Sequence, residues 1–459
     1  MLINEKHTER RLLMKSSSIN MTEGNIFKNL IYFAVPVLIG NIFQQLYNVA
    51  DTAIIGNILG DNALASVGAS TPVYNLMIGF ANGLTNGFAI IIARYFGADN
   101  EREMRKSVSL TYVLSAIIAV ILTLSGIAFL HPLMKSLKTP AEIIGDTESY
   151  MRIIMMFSAV TIAYNMLAGM MRAIGNSKAP LYFLVISTFV NIGLDILFVK
   201  GFEMGVAGAA YATVISQGVS VILCFIYVMK KCNFLIFRKS DLIFDRELLS
   251  DLASTGLSMG LMYAIVSVGS VILQGAVNSL GTSTITAHTA ARKIDDIFML
   301  PLSTASMSAS TFTSQNFGAG KMDRVKKGIK YSILIAFAWS AFSVLVVLLF
   351  RRPLIVALTG TTDKTVISTA SQYIIWNVSF FFVLSVLIIL RSSLQGVGRK
   401  LVPVSGSVME LLLKVLASLV IAPQLGYFGI CILEPVIWFV CSLMVITDYI
   451  VFIRKSEKR

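Results

Sequence analysis

The chain has 459 residues, of which 56% are hydrophobic and only 14% charged, and its mean hydropathy is +0.76. That balance is too apolar for an ordinary soluble protein and indicates a polytopic membrane protein. The +13 net charge is spread over many short polar segments rather than gathered into one basic domain with interleaved aromatics, which argues against a nucleic-acid partner.

In chain order, residues 1–24 (MLINEKHTERRLLMKSSSINMTEG) are polar, with no apolar core ahead of a small-residue cleavage site, and read as a retained tail. Apolar stretches of about 20 residues or more then recur, the length a helix needs to cross about 30 Å of hydrocarbon. Twelve are predicted, at approximately 28–56, 66–93, 107–130, 145–171, 179–199, 205–229, 254–278, 284–314, 328–350, 367–394, 402–422 and 427–453. The expected fold is an all-α integral membrane protein with twelve transmembrane helices. Its organisation is a tail (1–24), an N-lobe (25–230), a linker (231–253), a C-lobe (254–453) and a short tail (454–459).

Lys and Arg concentrate in the N-terminal tail, in RYFGADNEREMRK, KKCNFLIFRKSDLIFDR and GKMDRVKKGIK, near Lys178 and Arg399, and in RKSEKR. The positive-inside rule then places both termini and these loops in the cytoplasm, and the protein in the cell (plasma or inner) membrane. Cys224, Cys232, Cys431 and Cys441 have no CxxC spacing, so neither a disulfide framework nor a metal site is implied.

The sequence also repeats. A shift of 221 residues lays NILG (57–60) on NSLG (278–281) and RYFGADNEREMRK (94–106) on QNFGAGKMDRVKK (315–327). A shift of 223 lays Tyr150 on Tyr373 and RAIGNSKAP (172–180) on QGVGRKLVP (395–403), and the 221 shift returns at MGVAG (204–208) and LGYFG (425–429). Six spans per half is an even number, so the two six-helix repeats are parallel, an arrangement known from transporters that rock around a central pocket.

Polar residues inside such spans are informative, because an ionised carboxylate at mid-membrane costs about 2.5–3.5 kcal/mol on insertion scales. Asp51 lies in the first span, about six residues or ~9 Å from its outer end. Asn191 and Asp195 lie four residues apart on one face of the fifth span, with Asp195 at a matching depth. Tyr150 and Thr213 fall in the same outer half, so a cluster of Asp51, Asp195, Asn191, Tyr150 and Thr213 is expected. In the second half the same stripe carries Glu410, Lys414 and Ser418, and Asp51 is replaced by Ile272. Glu410 and Lys414 can neutralise each other, whereas the first half has acids and no base and therefore needs a cation. Arg292, Lys293, Asp295 and Asp296 alternate in sign and are expected to pair locally. Glu410, Lys414, Asp295 and Arg292 are the candidates for lining a substrate cavity, and His288 reads as a satisfied polar position.

PVLIGNIFQQLYNVADTAIIGNILGDNALASVG (36–68), ARYFGADNEREMR, RAIGNSKAP followed by NIGLD, and GAAYATVISQ, in that order, resemble the MATE (multidrug and toxic compound extrusion) family over residues 24–453. The resemblance implies two six-helix lobes forming a V and cation-driven efflux of bulky amphipathic or cationic compounds. By the same resemblance the family's essential first-helix aspartate falls on Asp51 and its Asn/Asp pair on Asn191 and Asp195, with Tyr150 and Thr213 in support. NorM-type members carry acids in helices 7 and 10. Here GLSMGLMYAIVSVGSVILQ and FFFVLSVLIILRSSLQG have none, so a DinF-like, N-lobe mechanism is expected.

The chain lacks GxxxxGK[ST] and HExxH, so no primary pump or metalloenzyme is expected; no enzyme is expected at all, because no nucleophile or metal constellation can be assembled, and no cofactor beyond a coupling ion. The rival function is a flippase for lipids or lipid-linked precursors, which would want a cationic cavity, whereas the N-lobe is acidic inside. The expected partners are small-molecule substrates and membrane lipids, with the monomer as the working unit. Two desolvated carboxylates close together should not both stay ionised, and they should titrate as one coupled pair. A proton is the favoured coupling ion. Sodium at Asp51, Asn191, Asp195 and Thr213 is the alternative, since these oxygens suit a hard cation but fall short of a full shell.

Overall fold

Left-handed residues and two side-chain caps mark where several of the helices start and stop. The computed structural model describes residues 19–137 and 139–457, and every element among them is helical. Most of the N-terminal tail, residues 1–18, lies outside the described residues, as do 458 and 459 of the C-terminal tail. The helices are α1 (Ile26–Leu59), α2 (Asp61–Gly97), α3 (Glu101–Ser136), α4 (Ile144–Met156), α5 (Ser158–Ala173), α6 (Lys178–Asp195) and α7 (Gly205–Lys231). They continue as α8 (Arg246–Asn278), α9 (Thr282–Gly318), α10 (Met322–Thr359), α11 (Lys364–Ser379), α12 (Phe381–Gly396), α13 (Leu401–Leu416), α14 (Ala422–Leu425) and α15 (Tyr427–Glu457). π-helical turns follow α6 at Ile196–Gly201 and α13 at Ala417–Ile421. The Asn100 side chain caps α3 by accepting from the Glu103 amide at 3.2 Å, and Asp363 caps α11 by accepting from the Thr365 amide at 2.7 Å.

Nine of the described helices are long and apolar enough to cross a membrane, and eleven spans result when α4 with α5 and α11 with α12 are each taken as one bent span. The remaining predicted span, the eighth at 284–314, forms the 37-residue helix α9 but is not among them. Its first half carries four charged residues and its second half is rich in Ser and Thr. Ser303, Thr304 and Ser314 bond back to carbonyls four residues earlier, as does Asn316, so these four side chains are satisfied within the helix itself.

Two further predicted spans, 145–171 and 367–394, are not continuous. Each bends by 50°, at Phe157 and at Phe380. At the first bend the Thr123 hydroxyl donates to the Met155 carbonyl at 3.1 Å and meets the Ser158 hydroxyl at 2.9 Å. A side chain inserted into the helix ladder is a recognised source of kinks. The bends are 223 residues apart, and the left-handed residues recur at the sequence shifts too: Gly60 with Gly281, Asp99 with Gly320, Gly205 with Gly426, and Gly175 with Gly398. At Gly175 the need for glycine is also steric, because a Cβ would stand 2.1 Å from the Ile19 carbonyl oxygen.

The chain divides into two compact units. One comprises Val35–Gly260 with the described residues 19–23, and the other comprises Gly24–Ala34 and Leu261–Arg459. In the first unit one apolar cluster gathers Ile92, Met104, Val228 and Leu235, and another gathers Ile55, Leu130, Tyr150, Val199 and Val206. The start of α8 packs on α2 backbone to backbone. A Cβ on Gly83 or Gly87 would fall 2.6 Å from Met259 or Gly256, the close approach that small residues spaced by four allow. The second unit has one continuous apolar core running through Leu273, Phe381, Ile389 and Trp438. Within that unit the base of α1 is tied down by the Ser308 hydroxyl, which donates to the Leu30 carbonyl at 3.1 Å.

Candidate functional site

In the first unit the five residues expected to gather do so. Asp51 projects from α1 two turns before its end, and Asp195 closes α6 where the π-helical turn begins. Tyr150 comes from α4, Asn191 from α6 and Thr213 from α7. Asn191 and Asp195 are fully buried, Thr213 is 4% exposed, and Asp51 and Tyr150 are each 7% exposed. The Asp51 and Asp195 carboxyl groups lie within hydrogen-bonding reach of each other. Both groups only accept when ionised, so that approach becomes a bond only when one proton sits between them.

The surroundings supply few donors. Both carboxylate oxygens of Asp195, Oδ1 of Asp51, and Oδ1 and Nδ2 of Asn191 are buried without a hydrogen-bond partner. Such orphans are costly in a native interior, and each calls for an explanation. Thr213 is engaged elsewhere, its hydroxyl 2.9 Å from the Tyr47 hydroxyl, with Tyr150 against the same side chain. Tyr74 adds a third phenol, paired with Gln217 and within electrostatic range of Asp51. The pocket thus holds two acids, an amide, a threonine and three phenols, and among the described residues no Lys or Arg interacts with either acid. Its oxygens could hold a proton or a small hard cation.

The second unit uses the corresponding positions differently. Lys414, on α13, donates to Glu410 Oε1 at 2.9 Å on its own helix and to Glu434 Oε1 at 3.1 Å on α15. Lys414 is 2% and Glu434 5% exposed, so the three form a buried ionic bridge between helices. On α9, Arg292 donates to the Tyr373 hydroxyl at 3.2 Å and lies 4.0 Å from Asp295 and 3.7 Å from Asp296. Both oxygens of Asp295 are buried without a hydrogen-bond partner. His288 stands 3.2 Å from the Tyr427 hydroxyl and edge-on to Tyr373.

Glu434, Tyr47 and Tyr74 escaped the sequence reading. Tyr47 and Tyr74 look like the many other aromatics of apolar spans. Glu434 carried a usable signal, because the 221 shift places it on Thr213, and the same shift places Asp295 on Tyr74.

The family model MatE matches residues 36–197 and again 258–420, once in each half of the chain. The probable multidrug resistance protein YpnP of Bacillus subtilis (strain 168) is 26% identical over 384 residues, covering 83% of this chain and 85% of YpnP. An FAD transporter of Shewanella oneidensis is 24% identical over 377 residues, covering 80% of this chain and 81% of its own. A solved structure of a multidrug resistance MATE family transporter of the MOP superfamily, in an outward-facing conformation, shares the fold. Its TM-score is 0.89 at 22% identity, over 96% of this chain and 98% of that one. With the double family match covering most of its length, this multi-span membrane chain belongs to the MATE family, whose members are transporters and not enzymes.

Proposed function

We propose that the protein is a secondary active multidrug efflux antiporter, exporting bulky amphipathic or cationic compounds in exchange for an inward cation. The carrying observation is the Asp51–Asp195 pair, two buried carboxyl groups in mutual reach with no base beside them among the described residues. On this reading the coupling site is the first unit's pocket, with Asn191, Tyr150 and Thr213 in support, and the mechanism is DinF-like rather than NorM-like. The twelve spans form two parallel repeats with both termini in the cytoplasm, and access alternates between the two sides of the membrane.

A proton is the coupling ion. The pair can share one, and the Thr213 hydroxyl is already occupied by Tyr47, which leaves a sodium ion short of oxygens. A second proton arriving from outside neutralises both acids and removes their repulsion. That shifts the population between states that hold and release substrate, to the extent that the states differ in proton affinity. The Glu410–Lys414–Glu434 bridge is structural, tying α13 to α15. Arg292 and Asp295 stand at the corresponding place on α9.

The FAD transporter among the relatives favours a second reading, an anionic substrate held by Lys414 and Arg292. Both bases already face acids, which weighs against it. Dye and flavin-dinucleotide efflux in proteoliposomes, under separately imposed proton and sodium gradients, tests the proposal. Dye efflux driven by the proton gradient is expected. Transport driven only by sodium at constant pH overturns the proton assignment, and flavin export without dye export overturns the substrate class.

A further inference from the structure

The segment joining α7 to α8 lies where two apolar helices end, and its composition suits neither water nor a packed interior. It contains two single-turn 3₁₀ segments, Asn233–Leu235 and Lys239–Asp241. Phe234 and Leu235 are buried and anchor it to the first unit. Beyond them the side chains turn outward: Phe244 is 79% exposed, with Ile243, Leu242 and Phe237 also exposed. Isolated exposed apolar residues are ordinary, but three in succession at a span end make a patch that calls for a partner.

Beside this patch is a cleft of about 500 Å³ whose cationic lining is Arg102, Arg105, Lys106 and Arg238. Two of these are already neutralised. Arg105 donates to Glu101 at 2.9 Å through Nε, and Lys106 donates to Glu103 at 2.7 Å. Asp241 and Asp245 approach the same two bases at 4.0 Å. Among the described residues no acidic group forms an ion pair with Arg102 or Arg238, and Glu101, Asp241, Ser240 and Ile243 complete the lining of the cleft. Unpaired guanidiniums are geometrically suited to phosphate oxygens.

We propose that this segment is a lipid-docking element, in which the cleft takes the phosphate-bearing headgroup of an anionic phospholipid on Arg102 and Arg238. Phe244, Ile243 and Leu242 enter the adjoining acyl region. Charge and position together select the occupant. The cleft supplies the positive field, the flanking Lys230, Lys231, Lys239 and Arg246 extend it along the chain, and the apolar side chains follow in sequence on the end of the apolar helix α7. A soluble anion would use the arginines and leave the apolar patch in water. A zwitterionic lipid would cover the patch but bring the arginines a phosphate whose charge its own ammonium offsets.

The test uses the full chain in nanodiscs. Its four cysteines are buried, so a Phe244→Cys variant carries one accessible thiol for an environment-sensitive fluorophore. Lipids with brominated acyl chains are then titrated as phosphatidylglycerol or as phosphatidylcholine. Quenching by both is expected, with phosphatidylglycerol preferred by roughly 30-fold, the ratio two arginines near an anionic surface contribute. Arg102→Gln with Arg238→Gln should erase that preference while quenching by phosphatidylcholine persists. Arg102 is exposed and Arg238 half-buried, and among the described residues neither forms an ion pair, so the double variant should fold. Quenching by aqueous iodide with none from brominated lipid would overturn the proposal. So would equal quenching by the two lipids in the unsubstituted background, or displacement of phosphatidylglycerol by inorganic phosphate at comparable concentration.

Discussion

Two pockets at equivalent places in the repeat have taken opposite solutions to the same problem. In the first unit Tyr74, Tyr150, Asn191 and Thr213 surround Asp51 and Asp195, while in the second the aligned positions are Asp295, Tyr373, Lys414 and Glu434. The shared tyrosine keeps its place. Replacing an amide by Lys414 and a hydroxyl by Glu434 turns a pocket of unmatched acids into one whose Lys414 holds two carboxylates. A satisfied ionic bridge fixes two helices together, and a pocket short of positive charge is left to bind one. On the proposed reading, charge balance, not polarity as such, separates a mobile-ion site from a structural one in a shared scaffold.

The largest effect expected of that contrast falls on transport. Asp51→Asn and Asp195→Asn should each reduce gradient-driven efflux to the level of empty liposomes, with normal insertion, since the amide keeps the shape and loses the titration. Efflux at the unsubstituted rate from a well-folded Asp195→Asn protein would place coupling elsewhere.

Next in size is a stability effect in the other unit. Glu434→Gln breaks the cross-helix contact to Lys414, at a cost approaching the roughly 3–5 kcal/mol seen when one partner of a buried pair is removed. Glu410→Gln should cost less, because it leaves the contact to Glu434, the more deeply buried acid. Thermal unfolding in detergent orders the two variants, and the reverse order would show that the bridge within α13 is the stronger one.

A smaller effect compares the locks that hold the loop after each bent span to the last helix of its unit. The Asn176 amide donates to the Tyr227 hydroxyl at 2.9 Å, and Arg399 Nε donates to Asp448 at 2.8 Å. These pairs are repeat-equivalent, one neutral and one ionic. Asn176→Ala should cost about 1 kcal/mol, and Arg399→Ala about 1.5–3 kcal/mol, the range for a hydrogen bond to a charged group. The same unfolding assay distinguishes them.

The smallest is Tyr47→Phe, which deletes one hydrogen bond to Thr213 worth about 1 kcal/mol. If Tyr47 keeps Thr213 from completing a sodium shell, this variant should show a sodium response that the unsubstituted protein lacks, measured as dye efflux at constant pH.

Much of this was legible in the sequence because it rests on local costs. Helix-length apolar runs, the 221 and 223 shifts, and the rarity of carboxylates in such runs pick out Asp51, Asn191 and Asp195, and the Asn/Asp spacing puts the last two on one face. What stayed hidden depends on contacts across helices. No periodicity shows that the Thr123 hydroxyl takes the Met155 carbonyl and helps break a span at Phe157, or that Tyr47 takes Thr213. The eighth predicted span forms the single helix α9, but its charges and hydroxyls keep it outside the long apolar helices, and which of those hydroxyls bond back to its own carbonyls is a choice composition does not reveal. Glu434 could have been found by applying the repeat shift to Thr213, one of the residues already singled out.

The most direct test measures proton movement alongside dye movement in proteoliposomes loaded with a pH-sensitive dye. Asp51→Asn, Asp195→Asn and Glu434→Gln are compared with the unsubstituted protein. Proton flux should accompany dye flux in the unsubstituted protein and in the folded fraction of Glu434→Gln, and vanish in both aspartate variants while dye binding remains. Proton flux that persists in the two aspartate variants and is lost in Glu434→Gln would contradict the account, moving the coupling site to the second unit.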